Sequence, residues 1–173
     1  MISLLGVLVA ASRLAAATNL VPATTNPPSV TAPGADEAVE KEYKKLMEED
    51  DAAQAEVDQW ISDNDAAAAK GGGVPSAELK RRISDRFAPI RKAYDDFIKL
   101  HPDHARARVA YGSFLNDLQD EDGAQEQWEK ALALNSEDPA VYNNLANHYG
   151  HTGRLKKAFE YYAKAIELNP KEP

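Results

Sequence analysis

Beyond residue 35, apolar side chains recur at alternating intervals of three and four, the spacing of one face of an α-helix. The first stripe runs Val39, Tyr43, Leu46, Ala53, Val57 and Trp60, with Ile61 beside it. Asp50 interrupts it, and the acidic run 48–51 predicts a break or bend there. The stretch Lys70-Gly71-Gly72-Gly73-Val74-Pro75 then stops the helix. A second stripe follows at Leu79, Ile83, Phe87, Ile90, Tyr94 and Phe97, with Ser76 as the expected N-cap. Pro89 lies inside it and predicts a kink or a division, because proline supplies no amide to the carbonyl of residue 85. His101-Pro102 ends the element.

Further along, residues 105–138 and 139–172 repeat each other at a period of 34, each as two amphipathic helices. Units of that length stack because one hairpin cannot bury its own apolar face. In the second block Tyr142, Leu145, Ala146 and Tyr149 occupy the first helix and Gly153 the turn. Ala158, Tyr162 and Ala165 line the second helix, and Pro170 closes the unit. Small residues let helix backbones approach, and the large ones fill the gaps between them. The first block keeps Gly112, Ala124, Trp128 and Ala131, with Leu115 replacing a tyrosine. Arg108 stands at its first bulky position and Ser136 at its closing proline, which predicts a loosely packed outer edge closed by Pro139.

This pattern of large and small residues resembles the tetratricopeptide repeat. The resemblance implies an all-α chain, a right-handed α-solenoid of antiparallel helix hairpins. Two units, 105–138 and 139–172, match well, and 36–104 reads as a degenerate N-terminal helical hairpin in which Tyr94, Leu100 and Pro102 align with Tyr162, Leu168 and Pro170. It also implies a concave groove lined by the first helix of each repeat. Carried over, the groove positions are Arg106, Val109, Ser113, Asn116 and Asp117, then Ala140, Asn143, Asn147, Gly150 and His151. Asparagines in a row suit an extended peptide backbone, since each offers a donor and an acceptor. A family subgroup that clamps a C-terminal carboxylate is not expected, because Val109 stands where a lysine is needed, although Asn144 fits.

The last helix, Leu155–Leu168, gathers Lys156, Lys157, Glu160, Lys164 and Glu167 on a narrow arc, leaving the remainder apolar. The apolar remainder, with Phe159, Tyr161 and Ile166, is wider than one neighbouring helix needs. It predicts cover by a partner, by a second copy in a homodimer, or by the chain's own N-terminal helix.

Charge is unevenly placed. Residues 36–66 hold twelve acids against three lysines, net −9, and residues 70–108 hold ten bases against five acids, net +5. The expected result is an acidic helix packed antiparallel to a basic one. With a chain net charge of −8 and no aromatic residues interleaved with the basic patch, nucleic acid is not an expected partner.

The 173 residues contain no cysteine, which excludes disulfides, thiol nucleophiles and thiolate metal sites. Residues 1–17 carry an apolar run and Ala15-Ala16-Ala17, the form of a secretory signal; the run is too short for a membrane span. Export, periplasmic or secreted, is the expectation, with a cytoplasmic location as the alternative. Residues 18–35, with four prolines and no charge, read as a disordered linker. His148 and His151, like His101 and His104, lie three apart without a third ligand at matching register. No catalytic, cofactor-binding or metal-ligating residue is assigned. The reading is a non-catalytic adaptor for a protein or peptide; its alternative is a structural protein that self-associates and has no groove ligand.

Overall fold

The computed structural model describes residues 35–134 and 137–170, with side chains from Asp36. The expected signal at 1–17, all but the last residue of the linker at 18–35, and Ser136 lie outside the described residues. Six α-helices follow in order, α1 Ala35–Ala68, α2 Ser76–Leu100, α3 Ala105–Asp117, α4 Glu121–Ala133, α5 Pro139–His151 and α6 Leu155–Leu168. No strand occurs among the described residues.

Helix α1 buries Tyr43, Leu46, Ala53 and Val57, and it does not break at the acidic run. Asp50, only 6% exposed, sits on the buried face, where it accepts the Tyr94 hydroxyl of α2 at 2.5 Å and the Gln54 amide at 2.8 Å. A buried carboxylate is tolerable when its lone pairs are hydrogen-bonded, so the expected interruption is instead an inter-helix link. Burial, then the bond to Asp50, raises the pKa of Tyr94 above its ordinary value.

A turn at 69–71 follows the helix and reverses at Gly71, whose φ of +82° favours glycine, with the Gly72 amide bonded back to the Ala67 carbonyl at 2.9 Å. Helix α2 starts one residue earlier than a Ser76 N-cap requires: Ser76 is its first residue, Pro75 holds the cap position, and no side chain caps it. It then runs unbroken through Pro89. The proline is on the exposed face, so the unpaired carbonyl one turn earlier can be hydrated.

Cross-links between α1 and α2 fix their antiparallel order. Glu42 meets His101 at 3.0 Å, Glu56 meets Arg86 at 2.7 Å, and the Arg82 guanidinium lies 3.7 Å from the centre of the Trp60 ring. From Asp58 to Pro89, however, no side chain is buried. The turn-proximal half of this hairpin therefore has no core of its own.

Helix α2 docks on α3 through aromatic contacts. Tyr94 stacks on Tyr111 with centroids 4.9 Å apart, and Phe87 meets Phe114 edge-on at 5.5 Å. In the α3–α4 hairpin Gly112 admits the buried Trp128 ring, whose Nε1 donates to the Val109 carbonyl at 3.2 Å. The Arg108 edge is not loose: its guanidinium donates to the Pro102 carbonyl at 2.7 and 3.0 Å and to Gln127 at 3.0 Å. Asp120 and Asp138 cap α4 and α5 through side-chain bonds to amides 123 and 140. Helix α5 packs on α3, α4 and α6, so the two hairpins share one core with α1 and α2.

Candidate functional site

Ser113 and Asn147 are equivalent positions of the two hairpins, 34 residues apart, and both line one cleft of about 860 Å³. The C-terminal halves of α3 and α5 form its walls. Asn116 and Asp117 come from α3, and Asn144, His148 and His151 from α5. The Asn144 amide bridges the walls by donating to Ser113 Oγ at 3.1 Å, and the Ser113 hydroxyl in turn donates to the Val109 carbonyl at 3.2 Å. Tyr162 of α6 donates its hydroxyl to Asn147 Oδ1 at 2.5 Å. With that oxygen engaged, Asn147 offers its amide hydrogens to the cleft. Asn144, whose amide is engaged, offers its oxygen one turn earlier.

Electrostatics favour a cationic or neutral occupant over an anion. Asp117 closes α3, where the helix dipole already carries partial negative charge. Burial raises its carboxyl pKa above the ordinary range, and the charges of Asp50 and Asp58 on α1 add to this.

The structure gathers Ser113, Asn116, Asp117, Asn147 and His151 at this cleft and separates the other expected groove residues from it. Val109 is 7% exposed and belongs to the core, because α5 lies against the surface it was expected to line. Asn143 and Ala140 face a different depression, shared with α6. Gly150 is half-buried. Arg106 is taken up by α1, pairing with Glu40 at 2.9 Å and lying over the Tyr43 ring at 4.8 Å.

On α6, Phe159 and Ile166 are 72% and 56% exposed, but Tyr161 is half-buried against Tyr142 and Tyr149, with centroids at 6.0 and 5.3 Å. The open apolar stripe is Leu155, Phe159 and Ile166 instead, on roughly the opposite side of the helix from Tyr161. Helix α1 does not cover it; α1 packs at the opposite end, on α2 and the start of α3.

Two participants escaped the sequence reading. His148 is not among the groove positions carried over from the repeat, yet it is a nearly buried residue beside the cleft. Gln119, also lining the cleft, has φ of +63° in the α3–α4 turn, where the second hairpin has Gly153 at +75°. The equivalence of Gln119 and Gly153 was the available signal for that geometry.

Among the described residues no helix is long and apolar enough to cross a membrane. Residues 139–172, the span of the second hairpin, match the family described as tetratricopeptide repeat. Over 56 residues, 32% of this chain and 10% of the relative, the chain is 41% identical to TPR repeat-containing protein MJ1428 of Methanocaldococcus jannaschii. Over 87 residues it is 38% identical to the Photosystem I assembly protein Ycf3 of a Synechococcus species (strain CC9605), covering 46% of this chain and 50% of that one. The chain thus spans half or less of the length of these relatives. A crystal structure of MamA aligns over 56% of this chain and 60% of its own, with a TM-score of 0.46 and 22% identity. The repeat spacing, the paired helices and the matched unit agree: the chain carries a tetratricopeptide repeat at residues 139–172.

Proposed function

We propose that this chain is a non-catalytic adaptor that holds an extended segment of a partner protein in the cleft between α3 and α5. The observation that carries the reading is the complementary pair on α5. Asn144 presents an acceptor and Asn147 donors one turn apart, the demand made by the alternating carbonyl and amide of a peptide backbone. Asn116 and His151, both exposed, extend that polar wall. The Synechococcus relatives are named as Photosystem I assembly proteins, a name in keeping with an adaptor.

The test is selection of a displayed peptide library on the purified chain, followed by affinity measurement on a paired Asn144→Ala and Asn147→Ala variant. Selected peptides should bind the variant at least about ten-fold more weakly, the equivalent of one or two lost hydrogen bonds. Peptides that bind both proteins equally, or no selected peptide at all, would overturn the cleft reading.

A further inference from the structure

Shifting the α6 depression back by one repeat shows what fills such a surface. It is a groove of about 670 Å³ between the start of α5 and the end of α6, lined by Pro139, Asn143, Tyr162, Ala165 and Ile166 among others. Thirty-four residues earlier stand Ala105, Val109, Trp128, Ala131 and Leu132. There Val109, Trp128 and Ala131 are buried, and Leu132 is half-buried. The helix that packs on both α3 and α4 is α5, and it brings Val141, Leu145 and Tyr149 into their cluster. Tyr149 also donates its hydroxyl to Glu129 of α4 at 3.2 Å. The same surface therefore occurs twice, filled by a helix on the first hairpin and open on the second.

The open copy is also the more apolar one. Leu155 and Phe159, 59% and 72% exposed, stand where α4 has Glu121 and Gln125. Together with Ile166 they extend the groove into a stripe at spacings of four and seven, one helical ridge long. Transfer of such side chains out of water is the driving force for helix-in-groove recognition.

We propose that the α5–α6 groove is a docking site for an amphipathic helix of another protein, one whose apolar residues are spaced as Val141, Leu145 and Tyr149 are. The occupant repeats in trans the seating that α5 has on the first hairpin. This site is separate from the α3–α5 cleft and stands or falls without it.

The probe is a fluorescent synthetic copy of residues 139–151, stapled across positions 143 and 147, because an isolated helix of that length is marginal in water. Titrated against the intact chain, it should show saturable anisotropy. Phe159→Lys and Ile166→Asp should each weaken it by about ten-fold or more, the scale of one well-buried contact. Both side chains are mainly exposed, so circular dichroism should be unchanged; if one variant misfolds, the other carries the measurement. Absence of saturable binding would overturn the proposal, as would binding indifferent to Phe159→Lys and Ile166→Asp. So would a dimer in sedimentation that those substitutions abolish and the probe cannot displace, since the occupant would then be a second copy of the chain.

Discussion

Gly112→Ala tests the closest approach in the first hairpin. A Cβ added at Gly112 would lie 2.4 Å from Nε1, 2.5 Å from Cδ1 and 2.9 Å from Cε2 of Trp128. Unstrained contacts begin near about 3.5 Å, so the buried indole must retreat by roughly 1 Å. That movement stretches the 3.2 Å bond from Nε1 to the Val109 carbonyl beyond hydrogen-bonding reach. Overpacking costs about 1–3 kcal/mol, and an unpaired buried donor adds about 1–3 kcal/mol. Against this, alanine in a helix gains about 1 kcal/mol over glycine. The net expectation is a loss of about 3 kcal/mol, which lowers a urea midpoint by about 1–2 M at ordinary m-values.

The second hairpin supplies the compensation. Its equivalent positions hold Ala146 and Tyr162, a larger small residue facing a smaller ring. Trp128→Tyr on its own should destabilise by leaving a cavity. Combined with Gly112→Ala it should recover part of the loss, giving a favourable coupling of about 1–2 kcal/mol in a double-mutant cycle followed by circular dichroism. A Gly112→Ala variant within about 0.5 kcal/mol of the parent, or a strictly additive cycle, would refute the packing argument.

Three further outcomes follow from the fold. His104 caps α3 through Nδ1, which accepts the Ala107 amide at 3.0 Å, while Nε2 faces Glu40; burial lowers its pKa from 6.5, Arg106 adds to this, and Glu40 opposes it. Its contribution to stability is therefore fully present above pH 6.5 and lost as pH falls through the depressed folded value, so His104→Asn, which keeps a cap, should flatten melting temperature against pH in that window. Gln119→Gly should stabilise by about 0.5–1 kcal/mol in urea denaturation, because a left-handed conformation costs a non-glycine residue about 1–2 kcal/mol and glycine's added chain entropy returns part of that; a loss would show the turn is not strained. Tyr94→Phe leaves the buried Asp50 with one donor fewer and should cost about 1–3 kcal/mol, whereas a neutral result would mean that water replaces the hydroxyl.

The hairpins α3–α4 and α5–α6 were legible because their contacts are local and repeated. Gly112, Ala124, Ala158 and Ala165 announce where helices touch, and the aromatic residues at matching offsets announce what fills the space. Asp50 was misread because its partner Tyr94 is 44 residues away and no local rule connects them. Val109 and Asn143 hold equivalent places in the two units, yet one is core and the other lines an open groove. The difference lies in whether another helix follows in space, which a single unit's sequence does not carry. The α5 wall of the cleft was read as a plain row of asparagines. The structure adds which atom of Asn144 and Asn147 is already spent, and that depends on Ser113 and Tyr162.

The coreless arm from Asp58 to Pro89 carries a mechanical consequence. Its two limbs are joined by the Glu56–Arg86 ion pair and one arginine–tryptophan contact, with the glycine run at the tip. Amides there should open and reclose with little resistance, while those beside Tyr43, Leu46, Ile90 and Tyr94 wait for global unfolding. A protease that nicks Gly71–Gly73 would accordingly leave both pieces clasped at their inner ends. The severed molecule should migrate as one species until denaturant parts it, so the tip is a place where a tag or a second domain can be spliced in without disturbing either groove.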